Sequence, residues 1–287
     1  MREFNEQTLT EAVIQRLAST PEPRLRELMT SLVTHLHDFV REVRPTWEEW
    51  LAGIQFLTAV GQQCDDKRQE FILLSDTLGV SMLVDFINYG KVGNATESTV
   101  LGPFYVEGAP ELPLGSNIAR HSSDGEPCVV TGSVVSLNGT PLSGALLDVW
   151  QASGDGFYDV QKLNGTNLRA RFRTDAAGKF WFRAVRPVGY PVPTDGPVGA
   201  MLQATRRHAM RPGHLHFVLS APGHERLVTH LFVSGDPYLD ADAVFAVKES
   251  LVVDCTLVEA REAAAQYQVE APFYRLHYDF MLKLAGV

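Results

Sequence analysis

Cysteine is scarce: there are three in 287 residues, Cys64, Cys128 and Cys255, and none belongs to a C-x-x-C pair. That excludes a disulfide framework and a thiolate metal site, and predicts reduced, mostly buried thiols. Basic charge is also short, 25 Lys and Arg against 34 Asp and Glu, for a net charge of −9. A phosphate backbone needs a basic face, so no nucleic-acid partner is expected. No apolar run approaches the ~18 residues that span a bilayer, and the first seven residues lack the apolar core of a secretion signal. The expectation is a cytoplasmic protein with no membrane insertion. Internal repeats and low-complexity segments are missing too.

What is present is enough apolar material, 45% of residues, for a sizeable core in one large or two modest domains. Residues 8–93 carry helical periodicity. Leu25, Leu28, Met29, Leu32, Val33, Leu36, Phe39 and Val40 recur at three- and four-residue steps. Thr8-Leu-Thr-Glu11 and Thr46-Trp-Glu-Glu49 both have the spacing of a capping box. Shorter helical pieces follow around 66–75 and 78–89. These helices have more apolar surface than they can bury among themselves, so part of it is expected against the second domain or another subunit. From about residue 126 the pattern changes to short β-runs with turn residues between them, beginning with Cys128–Leu137 and a hairpin signal at Asn138-Gly139. The expected fold class is α+β. A helical dimerisation and linker domain spans 1–105, and an antiparallel β-sandwich catalytic domain spans 106–287. Two stretches, 153–176 and 185–212, are too long for mere connections and read as site-building loops.

One stretch gives this frame a chemistry. Arg211-Pro-Gly-His-Leu-His-Phe-Val-Leu-Ser220 places His214 and His216 at alternate positions of a strand, on one face and within reach of one metal ion. Two imidazoles alone would suit zinc, copper or iron. A zinc hydrolase would complete its set with another His, an acid or a Cys. The loops offer tyrosines instead, Tyr158 in Asp155-Gly-Phe-Tyr158 and Tyr190 in Val188-Gly-Tyr190-Pro. A phenol with a pKa near 10 ligates only a metal acidic enough to take its proton, and ferric iron is such a metal.

The motifs together resemble the intradiol ring-cleaving dioxygenases, the catechol 1,2-dioxygenase family. The resemblance runs through Leu101-Gly-Pro-Phe-Tyr105, Val149-Trp-Gln151, Gly156-Phe-Tyr158, Gly189-Tyr190, Arg211-Pro-Gly-His-Leu-His216 and Gly235-Asp-Pro-Tyr238. It implies one non-haem Fe(III) per subunit, held by Tyr158, Tyr190, His214 and His216, with Tyr190 also acting as a base and Arg211 as a pocket cation. Gly213 departs from the Ala common in relatives, which suggests a looser strand entry. Leu73-Leu-Ser-Asp-Thr-Leu-Gly79, Tyr190–Val198 and Val228-Thr-His-Leu-Phe-Val233 look most like the branch that acts on hydroxyquinol. By the same resemblance Leu73, Asp76, Val100, Leu101, Gly102, Pro103, Phe104, Val192, Pro193, Arg211 and His230 are expected to bind substrate. Read alone, Asp76 could equally cap a helix, and His208 is a solvated loop histidine before it is a spare ligand. The implied partners are a small aromatic diol or triol, O2, and a second copy of the chain docked through N-terminal helices, with a phospholipid at that interface. The nearest rival is the same chemistry on catechol or chlorocatechol. Rivals of other classes are a zinc hydrolase on the His-Leu-His strand and a non-catalytic sandwich.

Overall fold

Amphipathic spacing becomes helix where the sequence places it. The computed structural model describes residues 4–66, 68–90, 92–120, 125–162 and 165–286. The first three residues of the N-terminal stretch, and residues 163–164 of the 153–176 loop, lie outside these. Packing divides the chain into two units, Met1–Thr58 and Ala59–Val287. The helices are α1 (Leu9–Leu17), α2 (Pro23–Val43), α3 (Trp47–Gln62), α4 (Glu70–Thr77), α5 (Val80–Asn88), α6 (Asp159–Lys162), α7 (Pro197–Ala204) and α8 (Arg261–Gln266). Pro23 opens α2, where its missing N–H costs nothing, and Arg44 closes it in the left-handed region at φ 52°. The second expected capping box forms: Glu49 accepts from Thr46 N–H at 2.8 Å and Thr46 Oγ1 accepts from Glu49 N–H at 3.2 Å. The first does not. Asn5 Oδ1 takes the N–H groups of Gln7 and Thr8 at 3.0 Å, and Thr8 Oγ1 turns back to Asn5 N–H. An Asx turn has outcompeted the box.

The strands are β1 (Pro127–Ser136), β2 (Leu146–Trp150), β3 (Arg169–Arg173), β4 (Lys179–Val185), β5 (Tyr190–Pro191), β6 (Met210–Arg211), β7 (His214–Ser220), β8 (Leu227–Val233), β9 (Val252–Val253), β10 (Cys255–Val258) and β11 (Phe273–Leu282). They form sheets ordered β10-β11-β1-β4 and β3-β2-β7-β8-β9, and a two-stranded ribbon β5-β6. Most pairings are antiparallel, as expected, but β1 with β11 and β8 with β9 run parallel. The hairpin signal at Asn138-Gly139 turns the chain without pairing β1 to its successor. Only Val135 and Pro141 bridge, and β2 then joins the other sheet between β3 and β7. Val134 N–H goes to Gly178 O at 2.8 Å instead of back across the turn, so the ladder stops there.

The two sheets share a core of Val130, Val134, Leu147, Phe172, Phe182, Phe217, Leu219 and Phe280. Fully burying each such side chain stabilises the fold by roughly 1.5–3 kcal/mol. β7 is buried over six of its seven residues. Leu215, Phe217 and Leu219 belong to the core, and period-two alternation sends His214, His216 and Val218 to the opposite face. That second face is where a site can be built. The expected division at 105 differs from the packing: α4 and α5 belong with the sheets, in Ala59–Val287. The two loops read as irregular also contain short elements, α6 and β3 in the first and β5, α7 and β6 in the second.

Candidate metal centre

Pairing across β7 arranges the histidines. His216 faces Trp150 of β2 on one side and His230 of β8 on the other. The Trp150 indole stacks on His216 with centroids 4.6 Å apart, which fixes the plane of the imidazole. His214 Nδ1–H donates to Pro212 O at 2.7 Å, which makes Nε2 the lone-pair nitrogen, the one able to bind a metal.

The tyrosines come from elsewhere. Beyond β2 the chain bends through Gly156 (φ +82°), and a Cβ there would lie 2.9 Å from Tyr190 Cβ. Only glycine lets the two tyrosine segments approach this closely. Asp159, one residue past Tyr158, pairs with Arg169, whose Nε lies 2.8 Å from Oδ2 and whose Nη2 donates to Phe104 O at 3.1 Å. Phe104 in turn stacks on Tyr158 at 4.6 Å. The β5-β6 ribbon sets Tyr190 opposite Arg211. Gly213 is not a loose joint, because a Cβ there would stand 2.8 Å from Pro187 O.

Four donor atoms converge as a result. Tyr158 Oη lies 2.7 Å from Tyr190 Oη and 2.8 Å from His216 Nε2. Tyr190 Oη is 3.3 Å from His214 Nε2, and the two Nε2 atoms are 3.2 Å apart. Donors about 2 Å from one ion are separated by roughly 3 Å, so this set fits a single metal. All four side chains are buried. Burial pushes the Tyr158 phenol well up, and neighbouring Tyr190 adds to the rise. Burial also raises Tyr190, while the Arg211 guanidinium draws it partly back. Burial holds His214 and His216 neutral, far below the usual imidazole range, helped by Arg211 at His214 and by His230 at His216. Without a cation the phenols keep their protons. A strongly acidic cation would reverse that, and two hard phenolates suit such an ion better than a soft divalent one.

Arg211 is held by a residue that sequence reasoning missed. Its Nε and Nη2 meet the Asp242 carboxylate at 3.0 and 3.3 Å, and Nη1 lies 3.2 Å from His214 Nε2. Burial alone would lower the Arg211 pKa, but Asp242 and the phenols raise it, so the cation is permanent. Asp242 also accepts from Ala246 N–H at 3.0 Å. An acid 31 residues away leaves no local trace in sequence.

The expected substrate residues divide into two groups. Asp76, Val100, Leu101 and Gly102 line a cavity of about 520 Å³ that also includes Thr99 and Arg226. A Cβ at Gly102 would lie 3.2 Å from His216 Cε1, so the cavity wall reaches the imidazoles. Asp76 lies inside α4 and caps nothing, since Gly79 is the N-cap of α5. Burial raises its pKa, against the Ser81 hydrogen bond and the charge of Arg211. Leu73, Pro103, Phe104, Val192, Pro193, Arg211 and His230 do not line this cavity. Leu73, Phe104 and Val192 are buried side chains. His208 is exposed and accepts from Met210 N–H at 3.1 Å, a loop histidine as expected. His230 is fully buried, and one ring nitrogen each of His214, His216 and His230 lies within 4.8 Å of the others. Among the described residues no acid or cysteine joins that group, so a metal here is held by imidazoles and phenols.

Comparison with known proteins gives a consistent result. Residues 100–284 match a family described as Dioxygenase, and residues 22–96 match Catechol dioxygenase N terminus. A 6-chlorohydroxyquinol 1,2-dioxygenase of Cupriavidus pinatubonensis is 51% identical over 98% of this chain and 99% of its own length. A hydroxyquinol 1,2-dioxygenase of a Rhizobium species is 49% identical over 97% and 96%. The solved hydroxyquinol 1,2-dioxygenase of Pseudomonas putida superimposes with a TM-score of 0.89 at 50% identity, covering 97% of this chain and 98% of that one.

Proposed function

Because this chain belongs to the intradiol ring-cleavage dioxygenase family, we propose that it uses ferric iron and O2 to open hydroxyquinol, benzene-1,2,4-triol, between its adjacent hydroxyls. The product is 3-hydroxy-cis,cis-muconate, the enol form of maleylacetate. The observation that carries this reading is the convergence of Tyr158, Tyr190, His214 and His216 on one point. These four residues would hold the iron. When bound, the ferric ion lowers the proton affinity of phenols and diol and makes an electron-rich ring susceptible to O2.

The chain's own groups supply the rest. Tyr190 Oη lies on the Arg211 side and, as the phenolate it would be with iron bound, would take a proton from the incoming diol and become a neutral phenol. Arg211, fixed by Asp242 in a buried setting, stabilises negative charge that develops on the ring oxygens. The third ring hydroxyl finds its polar partner in Asp76, which lines the cavity, or in His230, which packs on the imidazole pair. The apolar cavity wall at Val100, Leu101 and Gly102 keeps water from the ring. Within residues 1–105 the early helices serve dimerisation, while Asp76 and Val100–Gly102 extend the site carried by residues 106–287. The exposed apolar residues of α2 and α3 are the dimer contact. No helix among the described residues is long and apolar enough to cross a membrane, and with three free thiols we place the protein in the cytoplasm.

Oxygen uptake and product formation across hydroxyquinol, catechol and chlorocatechols test the assignment. A pocket built to hydrogen-bond the third hydroxyl disfavours catechol by about tenfold or more in kcat/KM. Preference for catechol contradicts the hydroxyquinol reading. No uptake with any diol contradicts the enzyme reading.

A further inference from the structure

Thr99 belongs to no motif that pointed to the site, yet its side chain meets the innermost imidazole. It is 4% exposed, and its N–H donates to Val228 O at 2.9 Å, which anchors the residue alongside β8. Its hydroxyl contacts His230 Nδ1 and has no other partner among the described residues. His230 itself has no exposed surface, and its Nε2 is buried without a partner. The ring packs on His216 with centroids 4.1 Å apart and on His214 at 4.9 Å.

A neutral imidazole carries one proton on one of two nitrogens, and Thr99 decides which. If Nδ1–H donated to Thr99, the hydroxyl proton and the Nε2 lone pair would both be left buried and unpaired. If the hydroxyl donates to Nδ1, the only orphan is Nε2–H. A buried unmade hydrogen bond is costly, so the second arrangement wins. That remaining N–H stands beside the imidazole pair and lacks an acceptor until a ligand supplies one.

We propose that Thr99 is a positioning residue that holds His230 as its Nε2–H tautomer, so that the ring presents a hydrogen-bond donor to an oxygen of the bound aromatic triol. The donation to substrate rests on the dioxygenase reading above. The tautomer does not.

Histidine-labelled, full-length, iron-free protein tests the tautomer by long-range proton–nitrogen NMR, with His230 assigned through its loss in His230→Gln. The expected spectrum has a pyridine-like Nδ1 and a pyrrole-like Nε2. Thr99→Ser preserves that pattern, and Thr99→Val shifts the ring toward Nδ1–H. A pyrrole-like Nδ1 in the parent protein, or a Thr99→Val ring identical to the parent, overturns the proposal. In the ferric enzyme without oxygen, Thr99→Val weakens hydroxyquinol binding about tenfold while Thr99→Ser stays within about twofold. Equal weakening by both would mark a packing role and also overturn it. A parent enzyme that takes up no oxygen with any diol would reject the dioxygenase reading, and the NMR result would still decide the tautomer.

Discussion

The helical N-terminal unit and the sheet-rich unit handle apolar surface in opposite ways. In α2, 21 residues long, no side chain is buried, and Leu28, Leu32, Leu36 and Phe39 are 51, 50, 53 and 58% exposed. In β7, seven residues long, six are buried and both faces are occupied, one by core and one by the candidate metal centre. The sheets therefore close their own core and have a rigid face left over for chemistry. α2 and α3 are capped by side chains, yet α2 leaves an exposed apolar stripe. A site belongs on the element whose neighbours fix it, and an assembly surface on the one whose neighbours do not.

The strongest way to break this contrast is at the metal. Tyr158→Phe removes one donor from a centre worth several kcal/mol of charge stabilisation, so ring cleavage should fall about a thousandfold or more while circular dichroism stays unchanged. Tyr190→Phe should retain metal but slow diol binding in stopped-flow measurements, because the proton acceptor is gone. Unchanged binding kinetics would remove its role as a base.

Asp242→Ala is next in size. It leaves Arg211 buried and unpaired, which costs about 3–5 kcal/mol in denaturant unfolding and lowers kcat/KM together with stability. Asp242→Asn should spare more stability than activity.

The helical side of the comparison is sharpened by Leu32→Glu. Sedimentation of the parent should show a dimer at micromolar concentration, and the variant should weaken it about tenfold or more with activity per chain retained. A parent that stays monomeric would leave the exposed stripe unexplained.

The smallest effects depend on pH. Iron-free protein holds His214 and His216 neutral through burial. Their folded pKa lies below the unfolded value near 6.5, so the unfolded chain binds more protons. Stability should then fall as pH drops through and below about 6.5. The buried phenols act with the opposite sign, and stability should also fall above about pH 10 as unfolded tyrosine ionises. Thermal melts across this range should be dome-shaped, and a midpoint that rises on acidification below about 6.5 contradicts it. Burial likewise raises Asp76, which costs stability above the ordinary carboxylate range near 3.9. Asp76→Asn should therefore raise the neutral-pH midpoint slightly while weakening turnover of the triol more than that of catechol.

What the sequence made legible was local. Period-two spacing put His214 and His216 on one face, three- and four-residue steps drew α2, and Thr46 with Glu49 marked a helix start. Donor chemistry made Tyr158 and Tyr190 candidates and resemblance joined them into one set, because nothing in their spacing says that two loops 32 residues apart meet. What stayed hidden depends on distance or competition. The parallel pairing of β1 with β11 joins segments 146 residues apart, as Thr131 and His277 illustrate. Asp242 and Thr99 act through partners far along the chain. The Thr8 box failed because Asn5, three residues upstream, offered its backbone a shorter closure.

The most direct test of the account is the visible spectrum of the iron-loaded protein before and after hydroxyquinol is added without oxygen. Two ferric phenolates predict a red-brown protein whose charge-transfer band moves when the triol binds and is much reduced in Tyr158→Phe. A colourless protein that carries zinc, or a band indifferent to both the triol and the substitution, would contradict it.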